Sequence, residues 1–259
     1  NVVLAVNDGN WGLVGHDLEI QKAENICKDS KDEKKIKSGR FTGLEIETIK
    51  EILSEITYPT VRDHVKTTFE KIGVDRLNNV YGDEWEYIDA LAWYSLKYYP
   101  LCYLEYGIQI PYAASIVASA SPGVNIYGID SWKQMHGLTK VVPPNIAASQ
   151  LQKVGYKGYT RFIGGDIHTA LRRLQDSSVG GLSIDLALVR GELFGIDAFR
   201  QVSDLIPYIN DGGAMVYHSG TPLFNVVWAE IKNKYPQYSY LENRIDQYSS
   251  GLMFKCRLT

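Results

Sequence analysis

From Leu101 onward, short apolar runs alternate with amphipathic stretches. The runs are Leu101–Gly107, Val124–Asp130, Arg161–Asp166, Ile184–Arg190 and Ala214–Ser219, and the stretches near 112–121, 144–154, 167–176, 195–209 and 222–235 read as helices. Runs that are apolar throughout predict strands covered on both faces, as parallel strands flanked by helices are. The alternation therefore predicts an α/β architecture, a doubly wound and mostly parallel sheet. Two more strand-like segments follow, Tyr238–Ile245 and Leu252–Leu258, joined by a short stretch containing Ser250 and Gly251. No helix fits between them, so the sheet is expected to close with an antiparallel hairpin at its edge.

Upstream the period is helical. Thr42 and Glu45 have the spacing of a capping box, and Leu44, Ile49, Ile52, Leu53 and Ile56 recur at helical intervals until Tyr58-Pro59. Val61, Val65, Phe69 and Ile72 mark a second helix ended by Gly73, and Asp83 or Glu86 caps a third that carries Trp85, Ile88, Leu91 and Ala92. Residues 1–40 read as loop-rich. The expected division is an accessory region, loop-rich then helical, over 1–99, and a main domain over 100–259.

Composition narrows the class without choosing a function. The 259 residues are 45% hydrophobic and 22% charged, with a formal net charge of -3, which suits a globular protein. The one charge run, Lys28 to Arg40, is interrupted by acids and reads as a solvated loop, so no nucleic-acid partner is expected. No apolar run reaches the roughly 20 residues of a membrane helix, so no membrane partner is expected either. Cys27, Cys102 and Cys256 lie far apart, in neither a disulfide framework nor a zinc pattern, and a cytoplasmic location fits.

In an open α/β sheet, ligands bind beyond the carboxyl ends of the strands, where strand order reverses. Those ends carry chemistry here: Glu105-Tyr106-Gly107, Asp130-Ser131, Gly165-Asp166, Arg190-Gly191-Glu192 and His218-Ser219. Gly107, between the first strand and its helix, lets the backbone approach a ligand closely. Asp130 ends the second strand a little over 20 residues on, where an acid can accept ribose hydroxyls; it also suits a turn or a cap.

Residues 103–130, YLEYGIQIPYAASIVASASPGVNIYGID, resemble the first two motifs of class I S-adenosylmethionine (SAM)-dependent methyltransferases. RFIGGDIHTAL (161–171), IDLALVR (184–190) and INDGGAMVYHS (209–219) resemble the family's next three strands, and the closing hairpin matches as well. The likeness runs over about 100–259 and is greatest to small-molecule O-methyltransferases. It implies a Rossmann-like sheet, SAM as cofactor and a small-molecule acceptor. Carried over, Glu105, Gly107, Tyr112 and Ser115 frame the methionine end of SAM. Asp130 takes the ribose, Ser131 and Trp132 lie near the adenine, and Asp166 and Ile167 flank it. Asp166 also suits the cap of the helix that follows.

The pattern breaks in two places. Gln109 and Pro111 stand where the family has glycines, and a proline has no amide to donate to a carboxylate, although it can open a helix. Arg190 stands where metal-dependent members have an aspartate ligand, so no catalytic metal is expected. Arg190 is read either as binding an acidic group of the acceptor or as paired with Glu192 or Asp166. Glu192 and His136 are further acceptor-side candidates. His218 is the candidate base, because histidine titrates in the useful range; the plainer reading is a structural histidine. The accessory helices are expected to cover the pocket or to mediate a homodimer. Two other functions share this sheet. One is a non-catalytic member serving binding or assembly. The other is a nicotinamide-dependent dehydrogenase, disfavoured by the lack of GxGxxG and by the final hairpin.

Overall fold

A computed structural model describes residues 3–7, 10–14, 46–73, 85–108, 111–130, 144–178, 181–190, 196–244 and 247–255. Strands β1 (Val3–Asn7) and β2 (Asn10–Val14) pair antiparallel. They lie within the stretch 1–40 expected to be loop-rich, and Val3 to Val6 is the short apolar run of strand length at its start. Three helices follow: α1 (Ile46–Ile56), α2 (Pro59–Ile72) and α3 (Tyr87–Tyr98). Pro59 both separates α1 from α2 and opens α2, where its missing N–H costs nothing. Gly73 ends α2 in the left-handed conformation, as expected. Glu86 caps α3, and its N–H is taken by Asp89 at 2.9 Å. The proposed box at Thr42 and Glu45, and Asp83, lie outside the described residues.

The main domain alternates as its pattern predicts: β3 (Cys102–Tyr106), α4 (Tyr112–Ala120), β4 (Asn125–Asp130), α5 (Pro144–Lys153), β5 (Thr160–Gly164), α6 (Ile167–Ser177), β6 (Ile184–Arg190), α7 (Ile196–Leu205), β7 (Ile209–Gly220), α8 (Thr221–Lys234), β8 (Ser239–Arg244) and β9 (Tyr248–Phe254). The strands form one seven-stranded sheet in the order β5-β4-β3-β6-β7-β9-β8. The first five are mutually parallel, and β9 runs antiparallel to both of its neighbours. This is a doubly wound sheet closed by an antiparallel hairpin. Its order reverses at β3, between β4 and β6.

The final strand begins earlier than its apolar run. Ser249, Ser250 and Gly251, expected in the joining segment, lie inside β9. Physical pairing explains this. Ser250 lies opposite His218, Ser249 meets the Thr221 hydroxyl at 3.0 Å, and a Cβ on Gly251 would sit 2.4 Å from the Trp228 ring. Polar and glycine residues are required there by what they face.

Side-chain alternation splits the core into two faces. Tyr103, Leu186, Leu188, Ala214, Val216, Leu252 and Phe254 pack with the accessory helices and α4; Leu104, Ala187, Val189, Met215, Tyr217 and Met253 pack with α6, α7 and α8. The accessory helices thus cover one face of the sheet. Tyr94 of α3 also donates its hydroxyl to the Gly212 carbonyl at 3.0 Å, and Asn243 donates to the Trp85 carbonyl.

Candidate functional site

The period of two that puts Tyr103, Leu188 and Val216 on the accessory face carries Glu105, Arg190 and His218 to that same face at the carboxyl edge. Register aligns them further: Arg190 lies opposite His218, and His218 opposite Ser250. The centre of this edge is a polar network. Glu105 is fully buried. One carboxylate oxygen accepts Arg190 Nη2 at 2.7 Å, and the other accepts the Tyr103 hydroxyl at 3.0 Å. The carboxylate also takes the backbone N–H of Ala114. That last bond compensates for Pro111, which sits at the N-cap of α4 without a side-chain cap; the strand acid satisfies a helix-start amide in its place. Burial pushes the Glu105 carboxyl up, against the opposing pull of Arg190, Tyr103 and Ala114. Burial works against the Arg190 charge, but Glu105, Tyr87 and Tyr103 together offset it and keep the guanidinium protonated. Arg190 and Glu105 meet as a salt bridge, Nη2 to carboxylate oxygen at 2.7 Å.

Arg190 Nη2 also donates to the Gly107 carbonyl at 2.9 Å. Gly107 has φ +87°, and a Cβ there would come within 2.6 Å of the Arg190 carbonyl, so the turn requires glycine. The pairing expected for Arg190 with Asp166 or Glu192 is corrected in one respect: Asp166 is on another strand end and instead caps α6, whereas the acid that Arg190 meets is Glu105. Strand alternation explains the partner, since both side chains rise from the same face of neighbouring strands. Glu192 lies outside the described residues, as do Ser131, Trp132 and His136.

His218 sits in an aromatic tier. Its ring lies 4.3 Å from that of Tyr87, at the start of α3, and 5.6 Å from Tyr248. Its Nδ1 is 3.0 Å from the Ser250 hydroxyl. Burial, then the Arg190 charge, holds its pKa down to about 4, against a bond with the Ser249 backbone. The imidazole is neutral at neutral pH. The guanidinium of Arg190 lies 5.9 Å from the Tyr87 ring centre, so Tyr87 joins the two halves of the tier.

A second cluster forms on the other side of the switch point. Asp130 ends β4 and is nearly buried. Tyr106 has its phenol pKa raised by burial and then by the charges of Asp130 and Asp166, which places the three in one electrostatic neighbourhood. Asp166 is exposed; one oxygen accepts Thr169 N–H at 2.9 Å, and that bond leads in holding its carboxyl below the usual range. Gly165 beside it has φ +129° and open space where a Cβ would be.

The remaining candidates point elsewhere. Ser115 is buried with its hydroxyl bonded to the Pro111 carbonyl at 2.7 Å. Tyr112 packs against Phe69 at 5.7 Å. Ile167 is buried among Leu171 and Leu174. Sequence reading missed Tyr87, Tyr103, Tyr106, Tyr248 and Ser250. Tyr103 carried a signal, because it stands two residues before Glu105 on the same strand face. Tyr87 carried none, because its place depends on how α3 docks. Among the described residues no group of three or more His, Cys, Asp or Glu is arranged to hold a metal ion, and no helix is long and apolar enough to cross a membrane.

No protein-family model matches the chain, and no curated protein matches it. Solved structures do share its architecture. An O-methyltransferase from Bacillus cereus in complex with SAH aligns with a TM-score of 0.52 at 11% identity, covering 81% of this chain and 97% of that one. The O-methyltransferase TomG from Streptomyces achromogenes, in complex with SAM, aligns with a TM-score of 0.51 at 13% identity, covering 77% and 90%. Cofactor-bound Rv0187 from MTB aligns at 0.50 and 11%, covering 83% and 99%. At such identities the likeness is one of fold.

Proposed function

We propose, from the premise that this chain has the fold of class I SAM-dependent methyltransferases, that it transfers a methyl group from SAM to an oxygen of a small molecule without a metal ion. The observation that carries the reading is the strand order, reversing at β3 with Gly107 in the turn and Asp130 at the end of the next strand. Solved proteins of this fold hold SAM or SAH. The residues present fit the nucleoside half of SAM. Asp130 offers a carboxylate to ribose hydroxyls; Asp166 has a second oxygen beyond its cap bond, next to the open backbone of Gly165 and the backbone of Ile167; the family resemblance assigns Ser131 and Trp132 to the adenine. The turn at Gly107, with Glu105 beneath it, frames the methionine end.

SAM supplies a methyl group on a sulfonium that an oxygen can attack in line. The protein's own contribution is orientation. Tyr87 and Tyr248 offer ring faces for an acceptor, with Arg190, Glu192 and His136 on its polar side. His218, neutral at pH 7, takes the hydroxyl proton; with a pKa of about 4 it is a weak base. Metal independence rests on the donor set: the end of β6 presents a guanidinium bound to Glu105. Exhaustive chelation is expected to leave turnover intact, and loss restored by Mg²⁺ refutes that part.

The whole reading is tested by calorimetric titration. SAM and SAH should bind and NAD should not. Asp130→Ala should weaken both ligands by about 1.5–3 kcal/mol, the worth of hydrogen bonds to a charged acceptor. A folded variant with unchanged affinity removes Asp130 from the site, and no binding of SAM or SAH by the wild type removes the function. A second reading, a non-catalytic protein serving binding or assembly, is favoured by one observation: Arg190 Nη2 already occupies the Glu105 carboxylate and the Gly107 carbonyl at the switch point.

A further inference from the structure

The carboxyl edge of the sheet contains a cation of the chain's own. Glu105 lies beneath the surface with none of its side chain exposed, whereas the Arg190 side chain is 22% exposed. The ion pair is thus oriented, its negative end inward and its positive end toward the crevice. Arg190 Nη2 reaches the Glu105 carboxylate at 2.7 Å and the Gly107 carbonyl at 2.9 Å, the two acceptors at the switch point to which a ligand's positive group would turn. The other oxygen of Glu105 is held by Tyr103, and the helix-start amide of Ala114 is spent on the same carboxylate. A ligand entering here meets a guanidinium before it meets the acid. The field of that guanidinium reaches across the strand pair to His218, whose protonation it opposes.

We propose that Arg190 is a specificity-determining residue that sets this site against positively charged ligands, favouring a nucleoside thioether over the corresponding sulfonium. The proposal rests on the reading of the fold as a SAM site. SAM and S-adenosylhomocysteine differ by one methyl group and one positive charge, the sulfonium charge, and share the nucleoside, the ammonium and the carboxylate. The change in their affinity ratio between variants, or with salt, therefore cancels the shared packing and reports the charge that the ligand meets. In a partly solvated site, unit charges several ångströms apart interact strongly enough to move such a ratio about tenfold. A site of this kind releases its demethylated product slowly and charges with SAM poorly unless the guanidinium swings away from Gly107.

The experiment is calorimetric titration of both ligands into wild type, Arg190→Met, Arg190→Lys and the double variant Glu105→Gln/Arg190→Met. The double variant is included because Arg190→Met alone strands a buried carboxylate. Wild type should bind S-adenosylhomocysteine about tenfold or more tighter than SAM. Arg190→Met and the double variant should narrow that ratio at least about fivefold, and Arg190→Lys should keep most of it. On wild type alone, raising the salt from low to high should narrow the ratio as the repulsion is screened. SAM binding to the Met variants but not to wild type supports the proposal in its strongest form. Both ligands binding with a ratio unchanged by the Met variants and by salt overturns it and leaves the SAM site standing. Failure of both ligands on every protein overturns the SAM site, and the proposal with it.

Discussion

Two acids stand near opposite ends of the central strands, and they are held by different kinds of partner. Asp185, at the start of β6, accepts the backbone N–H of Leu101 at 2.9 Å and of Cys102 at 3.0 Å, and the side-chain amide of Asn210 at 2.5 Å. Its donors are neutral, and two belong to the backbone entering β3. This acid locks the register of one strand against its neighbour. Glu105, near the far end of β3, is held by a guanidinium, a phenol and a helix-start amide from three separate elements. The first network is architecture. The second contains a long charged side chain that reaches toward the crevice and can be drawn elsewhere by a ligand. In this sheet the acid at the amino edge holds strands, and the acid at the carboxyl edge holds side chains.

The comparison breaks most sharply at Glu105. Glu105→Ala should destabilise the fold by about 3–5 kcal/mol, because it leaves Arg190 without its buried counterion. Chemical denaturation of the double variant Glu105→Gln/Arg190→Met should recover much of that loss; if it recovers none, the pair is not the unit. Asp185→Ala should cost somewhat less, about 2–4 kcal/mol, since the donors it abandons are neutral. It should leave nucleotide affinity unchanged in the folded fraction, and a large change in that affinity would erase the distinction between the two edges.

The smallest effect tests how far the Arg190 charge extends. Folded His218 titrates at about 4 rather than at its ordinary value of 6.5. Between those values the unfolded chain binds a proton that the folded one refuses, so stability falls as pH falls. Above 6.5 the residue contributes no slope. The loss reaches about 3 kcal/mol at most by pH 4, at roughly 1.4 kcal/mol per unit. His218→Asn should flatten the thermal midpoint over this window, and an unaltered slope would mean that the imidazole is neither buried nor near the guanidinium.

Much of this was legible in the sequence because the sheet is buried on both faces. Ile184–Arg190 reads as an apolar run broken only by Asp185 and ending in a charge, and it is a strand with those bounds. Asp130 and Arg190 announced themselves by ending such runs. Reading failed where polar residues are kept by a neighbour. Ser249, Ser250 and Gly251 look like a turn until Thr221, His218 and Trp228 are seen opposite them. β7 also begins at Ile209, five residues before its apolar run, because Asn210 and Asp211 extend it past a register shift against β6. Spacing along the chain names Glu192 or Asp166 for Arg190, whereas alternation across strands adds Glu105, which Arg190 meets at 2.7 Å. Tyr87 lay beyond any local pattern.

The place of β9 carries a consequence for the order of events in folding. β8 touches the sheet only through β9, which lies between it and β7. Six strands can therefore exist as chain while only five have a neighbour to join, and the sixth must wait until residues 248–254 arrive to bond on both sides. Pairing a late segment into an interior position is a long-range closure, slow by the measure of contact order. During synthesis, the outer side of β7 stays an open edge until the strand that seals it has been made, and in that interval the chain is most exposed to pairing with the wrong partner.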